Sequence, residues 1–264
     1  MDWWLGYAAI GAAVGFFAGM LGIGGGAIMV PLLVMLFEAQ GLPKAHILHL
    51  AVGTGMATIL FTSVASVRAH AARGAIRWDV AGKITPGILL GGVFGSWIAS
   101  FIPTAAFAAI FTAVIYIAAT NMLLDRKPRP SRQPPGLAGM TAFGFVVSAV
   151  SAFTAIGGAF MTVPFMLWCN VPLLQAIGTA AAIGFPIALS GTVGFVATGL
   201  RETGLPPYSV GFVYLPALAG IVVLSMLMAP VGAAAAHRLP TLWLKRIFAV
   251  LFYVMATRML LTFV

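Results

Sequence analysis

Stretches of about twenty or more largely uncharged residues follow one another along this chain: 3–21, 46–67, 84–102, 104–124, 136–156, 171–199, 208–229 and 241–263. Twenty apolar residues is the length at which a helix crosses a hydrocarbon core of about 30 Å. No water reaches the backbone in such a core, so each crossing must satisfy its own N–H and C=O groups. A helix does so and an open strand does not. The expected fold class is therefore an all-α polytopic membrane protein.

Composition excludes the soluble alternative. The 264 residues are 61% hydrophobic and 7% charged, where soluble domains carry about 25% charged residues. The net charge of +9 is not a nucleic-acid footprint, because eleven of the fourteen Lys and Arg residues sit in three clusters between apolar segments. These are Arg68, Arg73, Arg77 and Lys83; Arg126, Lys127, Arg129 and Arg132; and Arg238, Lys245 and Arg246. Short basic connections mark the cytoplasmic face, and acidic lipid head groups are the neighbours they imply. The single cysteine, Cys169, leaves no intramolecular disulfide and no view of the redox compartment. The start, MDWWLGYAAIGAAVGFF, has no basic leader region and reads as a first membrane segment rather than a cleavable signal.

The chain also repeats itself. IGGGAIMVP (23–31) returns as IGGAFMTVP (156–164), and AVGTGMA (51–57) as AIGTAAA (176–182). PGILLGG (86–92) is shadowed by PALAGIV (216–222), and AATNMLL (118–124) by MATRMLL (255–261). Four matches in one order indicate duplication. The polar run between the copies sets the expected organisation: a first transmembrane repeat over 1–124, a cytoplasmic Pro/Arg-rich linker over 125–135, and a second repeat over 136–264.

Charge parity orients the copies. If the chain merely kinked at its glycines, Arg238, Lys245 and Arg246 would face the opposite side from the other two clusters. If it turns back there, all three clusters share the cytoplasmic side, as the positive-inside rule favours. Each half is then a glycine-tipped helical hairpin plus three transmembrane helices, an odd net count, and the two repeats are inverted. The segment 160–169 rises only about 15 Å as a helix, which points to a re-entrant arm or a half-helix.

The glycine tips are the candidate site. Glycine inside a helix costs roughly 1 kcal/mol relative to alanine, and irregular backbone at membrane depth is tolerated where it is buried in protein or lines a cavity. A new helix is expected to begin near Gly26 and near Ala159. Its first N–H groups lack intrahelical partners and carry the positive end of the helix dipole, which suits an anion. Gly24, Gly25, Gly26, Gly157 and Gly158 form the expected tips, with Thr54 and Thr179 of the paired GT motifs as candidate hydroxyl donors. The competing reading of the glycines is close helix–helix packing, and that of the threonines is bonding to their own helix. Pro31 and Pro164 shape the second arm of each hairpin. GIGGGA is no dinucleotide motif, since Ala27 stands at the last glycine position and no βαβ unit surrounds it.

His46 and His49 read as residues solvated at the outer interface, in preference to a proton-coupling pair. Arg258 is expected to snorkel outward, and Trp3, Trp4, Trp78 and Trp243 to anchor at interfaces. Five acidic residues, four histidines and one cysteine, mostly in expected loops, form no visible catalytic or metal constellation. No enzyme activity, metal or cofactor is expected.

The motifs GFFAGMLGIGGGAIMVPLL, AVGTGMATILFTSVAS and SAFTAIGGAFMTVPFM…AIGTAAAIGFPIALSG resemble those of the TauE/SafE family of membrane permeases over nearly the whole chain. The resemblance implies a permease for a small sulfur oxyanion or sulfonate, such as sulfite, sulfoacetate or thiosulfate, in a bacterial or archaeal inner membrane. Left open are the identity of the anion, the direction of transport, a coupling ion (proton or sodium), the oligomeric state, and whether the hairpin arms are re-entrant or cross fully. The second copy has Ala159 where the first has Gly26, so the two tips need not bind equally. An anion channel and a non-transport membrane scaffold or assembly subunit are the alternatives.

Overall fold

The computed structural model of the chain describes residues 3–21, 25–124, 133–236 and 241–263. Gly22 and Gly24, the linker residues 125–132 with Arg126, Lys127, Arg129 and Arg132, and Arg238 lie outside the described residues.

Among the described residues there are ten helices. In the first half these are α1 (Trp3–Leu21), α2 (Gly26–Ala39), α3 (Ile47–Ala71), α4 (Trp78–Phe101) and α5 (Thr104–Leu124). In the second they are α6 (Leu137–Ala152), α7 (Ala159–Trp168), α8 (Leu173–Gly199), α9 (Leu215–Ala236) and α10 (Thr241–Phe263). Six of them, α3, α4, α5, α8, α9 and α10, are long and apolar enough to cross a membrane, while α1, α2, α6 and α7 are shorter. Each half thus runs as two shorter helices followed by three long ones. Leu90, Phe101, Leu227 and Leu261 are each more than 60% exposed on the outer surface, an apolar exterior that suits hydrocarbon and not water. The chain is an integral multi-pass membrane protein.

One small departure from an all-helical fold precedes α9. Strands β1 (Ser209–Val210) and β2 (Val213–Tyr214) pair antiparallel, Ser209 with Tyr214 and Val210 with Val213. Gly211, with φ of 55°, makes the tight turn between them.

The halves pack into each other rather than side by side: α1 lies along α9, α6 along α4, α3 against α8 and α5 against α10. Small residues bring these backbones close. Gly87, Gly91 and Gly95 of α4 meet Thr141, Phe145 and Ala149 of α6 in turn, so α4 and α6 run parallel. Thr112 Oγ1 donates to Ala256 O, and Thr120 Oγ1 bonds the Tyr253 hydroxyl. The order of these partners makes α5 and α10 antiparallel. Consequently the α3–α4 junction, the start of α6 and the start of α10 share one end of the molecule, and Arg73, Arg77, Lys83 and Arg246 gather there.

Candidate functional site

The glycine motifs break the chain in the same way in both halves. Gly25 (φ 66°, ψ −7°) and Gly158 (φ 69°, ψ −10°) sit at the N-caps of α2 and α7 in the left-handed conformation, which L-residues with a side chain reach only at a cost. Gly25 O accepts the N–H groups of Ile28 and Met29 at 3.1 and 3.0 Å, and Gly158 O those of Met161 and Thr162 at 3.1 and 3.0 Å. The N–H groups of Gly26 and Ala27, and of Ala159 and Phe160, belong to the first turn and have no partner within their own helices. Each cap rests on a valine of the preceding helix. A Cβ on Gly25 would stand 2.8 Å from Val14 Cγ1, and one on Gly158 would stand 2.8 Å from Val147 Cγ1.

The two turns also touch. A Cβ on Gly26 would lie 1.8 Å from Ala155 O, so residue 26 seats its bare Cα against the backbone of the other half's turn. Gly55 of α3 closes on the same residue, with Ala155 Cβ 3.2 Å from the place a Cβ would take. Gly157 is buried on the side of α8, where its carbonyl oxygen lies 3.9 Å from the Cβ position of Gly184. Gly25, Gly26, Gly157 and Gly158 therefore belong to one central region; Gly24 lies outside the described residues.

The GT motifs do something their sequence did not reveal. Thr54 Oγ1 accepts the backbone N–H of Tyr214 at 2.9 Å, and Thr179 Oγ1 accepts that of Arg77 at 2.9 Å. Each preceding glycine admits a carbonyl of the same incoming strand: a Cβ on Gly53 would meet Phe212 O at 2.4 Å, and one on Gly178 would meet Ala75 O at 2.2 Å. Each half thus clamps the segment leading into the fourth helix of the other, α9 or α4. Both threonines are fully buried, and Thr179 also donates to Gln175 O at 2.6 Å. In this structure the Thr179 hydroxyl has its proton and one lone pair engaged by backbone, so the expected donor acts here as an inter-half bond.

Sequence reasoning missed a set of hydroxyls beside the second turn. Ser148, Ser151, Thr154 and Thr162 are all fully buried. Thr162 Oγ1 donates to Gly158 O at 2.9 Å and Thr154 Oγ1 accepts the Ile156 N–H at 3.4 Å. The hydroxyls of Ser148 and Ser151 have no hydrogen-bond partner, and Ser151 Oγ lies 3.6 Å from the Cβ position of Gly158. The signal was present as VVSAVSAFTAIGG, in which Ser148 and Ser151 stand three residues apart on one face of α6 and Thr154 follows just past its end. The matching positions of the first half are Gly15, Ala18 and Leu21. At these matched positions the hydroxyls belong to the second half and not the first, and neither 25–31 nor 151–164 carries a charged side chain.

The expectation for His49 is overturned. It is 3% exposed, not solvated, with Nε2–H donating to Ala99 O at 3.0 Å and the ring enclosed by Phe107 and Phe212. One turn of helix past His46 carries its side chain inward, where the aromatic rings exclude water. His46, half-buried at the N-cap of α3, stays nearer the surface. Arg258 is exposed, as are Trp4 and Trp78.

Comparison with known proteins agrees with this architecture. The family described as "Sulfite exporter TauE/SafE" matches residues 7–259. A "Probable membrane transporter protein" of Haemophilus influenzae is 32% identical over 253 residues, covering 96% of each chain. One of Bacillus subtilis is 27% identical over 88% of this chain and 90% of its own. One of Methanocaldococcus jannaschii is 26% identical over 78% and 76%. No solved structure matches. A membrane-embedded bundle, paired glycine turns and a family match spanning almost every described helix lead to one conclusion: this chain is a membrane transporter protein of the TauE/SafE family.

Proposed function

We propose that the protein is a secondary transporter, not an enzyme, that moves a small sulfur-containing anion such as sulfite, sulfoacetate or another organosulfonate across a bacterial or archaeal inner membrane by alternating access. The observation that carries this reading is the contact of Gly26 with Ala155. It brings together two glycine-capped helix starts, each with N–H groups free of intrahelical partners, in a region without charged side chains. Such a place attracts an anion through dipoles and hydrogen bonds rather than ion pairs. A neutral cradle of this kind holds an oxyanion without trapping it. The family's description as a sulfite exporter supports the sulfur chemistry, and the names of the relatives support transport.

Within this reading residues 1–124 and 136–264 are inverted repeats joined by the linker 125–135, and the hairpins α1–α2 and α6–α7 are re-entrant arms inserted from opposite sides. Broken helices meeting near the midplane of inverted repeats are a recurring design of secondary transporters. Gly24, Gly25, Gly26, Gly157 and Gly158 frame the substrate, Ser151 adds a hydroxyl donor, and Thr54 and Thr179 hold α3 and α8 to the opposite half. A proton or sodium ion drives the cycle. Proteoliposome flux of labelled sulfite and of small organosulfonates tests the proposal. Saturable, carrier-dependent movement is expected; absence of movement for every sulfur anion removes the substrate class, and conductance far above carrier turnover replaces the carrier with a channel.

A further inference from the structure

An open groove lies between α3, α4 and α8, with a volume of about 590 Å³. Its wall includes Val64 of α3, Ala81 and Leu89 of α4, and Ile183 and Pro186 of α8. The polar group in that wall is spent locally, since Thr85 Oγ1 donates to Ala81 O at 2.7 Å. At one end the lining changes character: Arg68 and Trp78 form the rim. Both are exposed, and among the described residues the one ion pair is Arg77 with Asp79, which leaves Arg68 unpaired.

We propose that this groove binds one acyl chain of an anionic phospholipid, with the phosphate on Arg68. Three features select that occupant. From Trp78 to Leu89 the groove climbs eleven helical residues, about 16 Å, which is half of a hydrocarbon core of about 30 Å and so the depth of one leaflet. The rim lies at the end of the molecule where Arg73, Arg77 and Lys83 gather, a field that attracts acidic head groups. The exposed indole of Trp78 stands where an interfacial anchor belongs. The lipid would bridge the halves, because α3 and α4 come from the first and α8 from the second. The inference is independent of which solute is carried.

The groove offers a clean way to fill it. Gly82 lines it, is exposed, and a Cβ there meets nothing within 4 Å. Gly82→Leu therefore adds apolar bulk at the groove wall from an unobstructed Cβ and with a better helix former. The test measures lipid retained by the full-length protein, by native mass spectrometry after reconstitution in mixed phosphatidylglycerol and phosphatidylcholine, together with its melting temperature. Wild type is expected to retain phosphatidylglycerol selectively and to melt higher with it. Arg68→Gln should lower that retention about fivefold, the effect of one cation near an acidic surface. Gly82→Leu should abolish the retained lipid while melting no lower than lipid-free wild type. Equal retention of the two lipids by wild type overturns the proposal, as does unchanged retention in either variant. A glycerophosphate head group that raises the melting temperature as much as the whole lipid overturns the acyl-chain assignment.

Discussion

Gly26 and Ala155 stand so close that a single added carbon at residue 26 would lie 1.8 Å from the Ala155 carbonyl oxygen. No rotamer relieves this contact, because a Cβ has none and the obstacle is backbone. Gly26→Ala is expected to destabilise the protein by about 1–3 kcal/mol or to displace the turn, as overpacked interiors do. A thermal melt of the detergent-solubilised protein reads it; an unchanged midpoint would mean the two turns are not seated on each other.

The left-handed caps make a second prediction. Gly158→Ala combines an unfavourable φ, worth roughly 1–2 kcal/mol, with a Cβ 2.6 Å from Ile187 Cδ1 and 2.8 Å from Val147 Cγ1. Gly41 is also left-handed, with φ of 73°, but a Cβ there meets nothing, so Gly41→Ala carries only the conformational part. The melting midpoint of the Gly158 variant should fall further than that of the Gly41 variant, and equal shifts would show that packing against Val147 and Ile187 is not felt.

Thr54 and Thr179 should behave alike despite lying in different halves. Thr54→Val or Thr179→Val leaves a backbone N–H of Tyr214 or Arg77 without its acceptor, at a cost of about 1–3 kcal/mol each. Serine at either position keeps the oxygen and should recover most of the loss. Stability measured on the valine and serine pairs checks this, and a serine variant as unstable as valine would move the role from the hydroxyl to the methyl group.

Ser151 is expected to separate binding from folding. Its hydroxyl has no partner among the described residues, so Ser151→Ala removes no bond seen there and should leave the melt nearly unchanged. Loss of a hydrogen bond to a charged ligand costs about 1.5–3 kcal/mol, which is a tenfold or larger rise in the apparent dissociation constant for the anion. Transport kinetics across a substrate titration check it; wild-type affinity in this variant would take Ser151 out of the site.

The orientation of the halves can be read by labelling. In a Cys169→Ser background, Ala72→Cys and Gln133→Cys are expected to react with an impermeant thiol reagent only from the cytoplasmic side. Lys44→Cys and Glu202→Cys are expected to react only from the other. All four positions are exposed. Reaction of Ala72→Cys and Glu202→Cys, at the equivalent junctions of the two halves, from the same side would break the inverted arrangement.

Much of the fold was legible because the membrane is a simple solvent. Apolar length marked where helices run, basic connections marked one end, and the echo of IGGGAIMVP in IGGAFMTVP marked two equivalent breaks. Those signals depend on local properties: burial of backbone, the cost of a charge in hydrocarbon, and the freedom of glycine at Gly25 and Gly158.

Which groups meet was set by packing. Nothing in AVGTGMA shows that the Thr54 hydroxyl receives Tyr214 from the other half, since a hydroxyl's partner is chosen by packing and not by its neighbours in sequence. His49, one helical turn past the half-buried His46, reads as interfacial until the rings of Phe107 and Phe212 close over it. The hydroxyl of Ser151 gains its place beside a helix start only through the turn at Gly158. A membrane bundle with two glycine breaks follows from apolar length and local backbone cost alone. The interdigitation of the halves, α1 on α9 and α6 on α4, decided that the breaks would face each other, because backbone contacts as close as Gly26 on Ala155 form only when helices from both halves are in place.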